Sequence, residues 1–256
     1  MIVFLEMTSP MMIKLNPDLQ SAKLTLDYGT KKRLQIADFL DPESAQQVYQ
    51  SLDELPWGMI YNDGPVSHQL SPEQVAGMDD QKADKITAGI QERAQTQFQF
   101  LYAFYPVHHA YLLPTSPRYG IFDFFEFLNS STVLDFIRGL TGIDQIRWAD
   151  AQATWYRPGH FLRAHDDWDP VRGRAVAYVM NLSPEWDRDW GGLLQFFDAS
   201  DNVEQAFKPS FNTLNIFTVP KLHSVSMVST YVTAKRLAVT GWFRTDEPQL
   251  AIGRSA

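Results

Sequence analysis

The sequence predicts a mainly β protein with added helices: an antiparallel sandwich or jelly roll carrying helices on one side. Three observations lead there. Residues before about 143 read chiefly with helical spacing, and those after it fall into short runs rich in β-branched and aromatic side chains. Hydrophobic residues make up 45% of the 256 and aromatics 13%, which supports one sizeable core. No repeat, low-complexity segment or linker separates the halves. A doubly wound α/β fold fits less well, because strands and helices do not alternate and a Gly-rich phosphate loop is missing.

In chain order, residues 1–30 read as a loosely tethered extension holding one strand, KLTLDYG. Residues 31–256 read as a single domain, with helical support over about 31–142 and a jelly-roll core over about 143–246. DPESAQQVYQSLDEL, from Asp41, has a capping residue, an early proline and apolar residues at helical spacing. SPEQVAGMDDQKADKITAGIQERAQTQF (71–98) predicts one or two amphipathic helices, and DFFEFLNSSTVLDFIRGLTG (123–142) a further helical region stopped by glycine. Strands are predicted in QIRWADAQATWYRPG, RAVAYVMNLS, GGLLQFFD, TLNIFTV, LHSVSMVST and RLAVTGWF, with turn residues between them.

Composition narrows the function. A net charge of −8 argues against a nucleic-acid or anionic-membrane partner. The absence of cysteine removes disulfides, thiolate metal sites and cysteine nucleophiles, and suits a cytoplasmic protein. MIVFLEM is too short for a signal peptide and contains Glu6, no run is long enough to span a membrane, and Met7, Met11 or Met12 could equally start the chain.

The chemistry concentrates in TWYRPGHFLRAHDDWDP, residues 154–170. Along a strand, residues two apart share a side, so His165 and Asp167 can point at one place. Without thiols, a transition metal needs nitrogen and oxygen ligands, and two histidines with one carboxylate suit non-haem Fe(II). The third ligand must come from His68, His108, His109, His160 or His223. His160 sits too close to His165 to be an independent arm, and His68, His108 and His109 lie in the helical half. His223, opening a late strand that could face His165 across a sandwich, is the choice. In KRLAVTGWF, alternation puts Arg236, Ala238, Thr240 and Trp242 on one face; an arginine buried there needs an anion, and its planar fork suits a carboxylate. Gln152, Thr154 and Tyr156 form a similar polar stripe.

Together YRPGHFLRAHDD, DWGGLLQFF, FNTLNIF, His223 and RLAVTGW resemble the Fe(II)/2-oxoglutarate-dependent oxygenases, in the prolyl 4-hydroxylase-like branch, over roughly residues 150–245. FQFLYAFYP and LDFIRGLTG are similar to the cytoplasmic proline hydroxylases of a ribosomal protein. The resemblance implies a double-stranded β-helix, the cupin-like jelly roll. It implies iron held by His165, Asp167 and His223. It also implies 2-oxoglutarate anchored by Arg236, assisted by Tyr156, Thr240 and Tyr178. O2 would be consumed, succinate and CO2 released and a prolyl C–H hydroxylated, with ascorbate in support. AYVMNLSPEW departs from the usual tyrosine-leucine-asparagine order, which touches Tyr178. Asp167 stands where halogenating relatives have Ala or Gly. A non-enzymatic cupin-like metal or sugar binder would have no use for Arg236. A nucleic-acid demethylase would space its arginines more closely than Arg236 and Arg244, and a small-molecule oxygenase of the same superfamily is the remaining alternative. Trp186, Asp187, Asp189 and Trp190 are expected to form an acidic, aromatic rim for a basic polypeptide; otherwise they are a solvated turn whose tryptophans cap the core.

Overall fold

A computed structural model describes residues 10–248. Its helices are α1 (Ser21–Lys31), α2 (Pro42–Ser51), α3 (Pro72–Ala76), α4 (Asp80–Arg93), α5 (Val107–Leu112), α6 (Ile121–Leu128) and α7 (Ser131–Thr141). Local side chains set the ends. Asp41, Asp79 and Ser130 each accept a hydrogen bond from the backbone N–H three residues on, and Ser71 with Gln74 forms a reciprocal capping box. Gly142, at φ 72°, terminates α7.

One expected element changes type. KLTLDYG alternates like a strand but belongs to α1. A strand would have put Leu24, Leu26 and Tyr28 on one face. In the helix Leu24 and Tyr28, four apart, turn inward, while Leu26 is 75% exposed. The Tyr28 hydroxyl bonds the Thr218 hydroxyl, which ties α1 to the sheet. The segment before it also lies on the domain: Asn16 N donates to Phe39 O and Lys14 N to Ser44 Oγ. The expected segment 1–9 lies outside the described residues.

The strands are β1 (Arg33–Ile36), β2 (Gly58–Asp63), β3 (Val66–Leu70), β4 (Phe100–Tyr105), β5 (Trp148–Ala149), β6 (Gln152–Tyr156), β7 (Phe161–His165), β8 (Arg174–Asn181), β9 (Leu194–Phe197), β10 (Val203–Phe207), β11 (Thr213–Thr218), β12 (His223–Val225) and β13 (Arg236–Arg244). They form one sheet in the order β1-β11-β8-β13-β6-β4-β7-β12-β9-β10, with the β2–β3 hairpin on β4 and β5 on β13. The first half is therefore not purely helical. β4 sits between β6 and β7, and His68 lies on β3 rather than away from the strands.

Because β4 hydrogen-bonds both β6 and β7, the sheet curls until strands from both arms line a common cavity. The expected jelly roll with helices on one side is the fold observed. Alternation along β13 divides two environments. Leu237, Val239 and Phe243 join Phe122, Phe125 and Ile137 in the helix-backed core, whereas Arg236, Thr240 and Trp242 face the cavity.

Candidate active site

His165 ends β7 and His223 opens β12. The antiparallel register sets them directly opposite, with ring centroids 4.2 Å apart. The two histidines are thus neighbours within one sheet, not partners across a sandwich. Asp167 also arrives differently from expected. The strand has already ended, and Asp167 takes φ 63°, a left-handed conformation uncommon for a side-chain-bearing residue, which turns its carboxylate back toward the rings. Its Oδ1 lies 3.2 Å from His165 Nε2 and its Oδ2 3.5 Å from His223 Nε2. One ligand atom from each of the three residues lies within 4.8 Å of the others.

The ring tautomers test whether iron fits. Nδ1 of His165 lies 3.0 Å from Arg163 O, and Nδ1 of His223 lies 2.7 Å from Lys221 O. A carbonyl only accepts, so both Nδ1 atoms donate and a neutral ring presents a bare lone pair at Nε2. Burial, then the neighbouring His165, pushes the His223 pKa down to about 4, so this ring is neutral near pH 7. Burial opposes ionisation of Asp167, but its close contacts with His165 and His223 and the Trp242 indole N–H outweigh it and hold the carboxyl below its ordinary range. Two lone pairs and a carboxylate converging on one point repel one another unless a cation sits between them. The donor set fits Fe(II).

The remaining histidines stand apart. His68 stacks on Tyr61 at 5.1 Å, His108 packs 5.0 Å from Trp148, and His109 is exposed on α5. His160 is buried in its turn, where burial and then Arg157 lower its pKa to about 4.

The opposite end of the cavity carries Arg236, only 2% exposed. Its Nε donates to Gly192 O at 2.7 Å, and its guanidinium carbon lies 4.5 Å from the centre of the Tyr156 ring. Among the described residues no carboxylate comes within 4.0 Å of it. Burial lowers its pKa to about 10, with Tyr156 acting in the other direction, so it remains charged at neutral pH. The Gly191-Gly192 turn makes this contact possible. A Cβ on Gly192, at φ 64°, would lie 2.7 Å from Arg236 Cδ, and one on Gly191 would lie 2.1 Å from Met227 O.

Between the two ends, Gln152, Thr154, Tyr156 and Thr240 line the wall, with Gln152 Nε2 3.4 Å from Thr240 Oγ1. Tyr178, expected to assist Arg236, borders the cavity but points away from Arg236: alternation along β8 turns its ring into the helix-backed core against Phe243, and its hydroxyl donates to Asp150 O at 2.7 Å. The tryptophans of the expected rim pack in one cluster with Tyr102 and Tyr156 of the cavity wall. Trp186 is buried, with its indole N–H on Gly191 O, and meets Trp190 edge-on; Asp187 caps the short 3₁₀ turn Arg188–Trp190. Neither these three nor Asp189 lines the cavity. Arg244 pairs with Asp150 and Asp246, which leaves Arg236 as the arginine that faces the cavity.

Sequence reasoning passed over Trp242 as a partner of Asp167, although alternation already placed it beside Arg236. It also passed over Phe98, Phe100 and Tyr102, which line the cavity next to His165 and Tyr156. Their signal was the alternation in FQFLYAFY, inside a region read as helical.

Residues 151–244 match the family model described as the 2OG-Fe(II) oxygenase superfamily. The mouse protein named prolyl 3-hydroxylase OGFOD1 is 34% identical over 111 residues, 41% of this chain and 20% of that one. This match spans about a fifth of the relative's length. Among solved structures, a Pseudomonas putida prolyl-4-hydroxylase superposes with a TM-score of 0.53 at 18% identity, covering 89% of this chain and all of that one. A Trichoplax adhaerens prolyl hydroxylase, solved with a peptide fragment of hypoxia inducible factor, gives 0.55 at 18% identity, covering 88% and 89%. At these identities the structural likeness speaks for the fold, and the oxygenase resemblance rests on the sequence matches.

Proposed function

We propose that this chain is an Fe(II)- and 2-oxoglutarate-dependent dioxygenase that hydroxylates a prolyl residue of a polypeptide, with release of succinate and CO2. One observation carries the reading: a buried arginine with no carboxylate within 4.0 Å among the described residues shares a cavity with a His-Asp-His cluster of metal-binding donors. A metal-binding module would need only the cluster. An α-keto diacid fits both ends, because its keto-acid group can chelate a metal while its far carboxylate meets a guanidinium.

Iron, when bound, supplies the centre at which dioxygen and the keto acid react. The chain does the rest. His165, Asp167 and His223 would hold the iron as its three protein donors. Arg236, held by Gly192 O and the Tyr156 ring, is oriented before any ligand arrives, and so little is lost in ordering it. Leu162, Phe100, Val225 and Phe217 make the remaining wall apolar and keep bulk water from the reacting C–H bond.

The polypeptide assignment is supported by what surrounds the metal cluster. Phe98, with its ring 5.5 Å from that of His165, is 42% exposed. Trp168, next to Asp167, is 62% exposed, and Leu222, next to His223, is 41% exposed. A large apolar residue at the shoulder of every ligand suits a partner larger than the cavity. The net charge of −8 favours a basic polypeptide, and a thiol-free chain suits the cytoplasm.

The test is succinate release from 2-oxoglutarate by protein loaded anaerobically with Fe(II) and then given O2, with and without proline-containing peptides. Fe(II)-dependent succinate that stops in Asp167→Ala, together with a peptide mass gain of one oxygen, is the expected result. Absence of any Fe(II)-dependent succinate overturns the reading. Fragmentation of the product then assigns the ring carbon.

A further inference from the structure

Two arginines face one another in register across β8 and β13, Arg174 opposite Arg244, and they are used differently. Arg244 is neutralised by Asp150 and Asp246. Arg174 has no carboxylate within 4.0 Å among the described residues, and its Nε is buried without a hydrogen bond. Its guanidinium carbon instead lies 3.6 Å from the centre of the Trp242 ring, and its Nη1 donates to the backbone carbonyl of Asp167 at 3.3 Å. The Trp242 indole N–H in turn donates to Asp167 Oδ2 at 3.1 Å. Trp242 is itself pinned, its backbone N–H bonding Asp150 Oδ1 at 2.7 Å.

We propose that Arg174 and Trp242 act as a positioning pair that fixes Asp167 as a metal ligand and thereby sets the metal affinity of the site. The proposal rests on the iron reading above. Asp167 needs such help more than the histidines do. They stand on paired strands with Nδ1 anchored to carbonyls, whereas Asp167 lies beyond the strand end in a left-handed conformation. The Arg174 bond holds its carbonyl, and the indole bond holds Oδ2, which leaves Oδ1, 3.2 Å from His165 Nε2, as the oxygen that would be offered to a metal. The Arg174 stack orients the indole, and its charge acts on Asp167 more strongly than on the neighbouring Asp150 and Asp169.

Co(II) is the probe, titrated by calorimetry and by its visible absorption into metal-free protein. Trp242→Phe keeps the ring and removes the N–H; it should weaken Co(II) binding about ten- to a hundredfold. Arg174→Met should weaken it in the same sense, and Arg174→Lys should recover only part, because the planar stack is lost. Melting of the metal-free variants should stay within a few degrees of the parent, whereas a purely structural role would lower melting and leave affinity alone. If Trp242→Phe misfolds, Arg174→Met decides. Parent-like Co(II) affinity in a folded variant overturns the pair. A parent protein that does not bind Co(II) overturns the iron reading instead.

Discussion

The two ends of the cavity are built on opposite rules. At the metal end, three ligands come from two paired strands and a turn, each braced by a hydrogen bond, and their lone pairs and negative charge suit a cation. At the arginine end, a cation sits in a sealed wall, braced by a glycine carbonyl and a tyrosine face, and awaits an anion. The first end is partly open, with the His165 side chain 21% exposed, and the second is closed. Each unmet charge would be costly alone in a buried site. An occupant that chelates at one end and presents a carboxylate at the other removes both costs, which explains why the two ends coexist.

Breaking the metal end should have the largest effect. His165→Ala or His223→Ala is expected to abolish Fe(II)-dependent succinate release and to reduce bound metal, measured by elemental analysis, below a tenth of the parent. Full metal content in either variant would remove that residue from the ligand set. Breaking the arginine end should spare the metal. Charge-assisted hydrogen bonds contribute about 1.5–3 kcal/mol each, so Arg236→Ala should raise the KM for 2-oxoglutarate about ten- to a hundredfold or more at normal metal content. An unchanged KM would move the cosubstrate elsewhere. Gly192→Ala sharpens the contrast without touching any charge. Its Cβ collides with the Arg236 side chain and its positive φ disfavours alanine, so a KM increase of roughly tenfold is expected from strain of about 1–3 kcal/mol. Equal effects on metal content and cosubstrate KM would show that the ends are not separable.

The smallest expected effect lies outside both ends. His160 is buried and titrates near 4 in the folded protein against an ordinary 6.5. The unfolded chain therefore binds the proton more readily, so this contribution is complete above about pH 6.5 and is lost as pH falls through about 4. It amounts to at most about 3 kcal/mol. Melting of the metal-free protein should drop across that window, and His160→Gln should flatten part of the drop. His223 titrates in the same window, and substituting it should flatten a separate part. A melting profile that His160→Gln leaves unaltered would show that the ring is not held neutral.

Much of the arginine end was readable from the chain. Strand alternation is local, and it already placed Arg236, Thr240 and Trp242 on one side of β13 and Leu237, Val239 and Phe243 on the other. Helix starts at Asp41 and Ser71 were readable for the same reason, since each caps its own backbone within three residues, whereas Ser130 starts α7 inside a stretch that reads as one helical region. The metal end was readable in its members but not in its construction. Period-two reasoning named His165 and Asp167, although Asp167 reaches the site through a left-handed turn after the strand has ended. FQFLYAFY was hidden by its surroundings, and KLTLDYG misled because a seven-residue alternation satisfies a strand while its burial satisfies a helix.

By itself the sequence determined residue chemistry and local periodicity: which side chains can ligate iron, which arginine would be buried, and where capped helices such as α2 and α3 begin. Pairing was decided by the tertiary structure. That His223 stands opposite His165, that β4 enters the sheet between β6 and β7, that Gly192 turns its carbonyl to Arg236, and that Trp186 belongs to the core rather than a rim all depend on contacts between segments distant in sequence. Such contacts form only when apolar faces are buried against particular partners, and no local pattern encodes the partner.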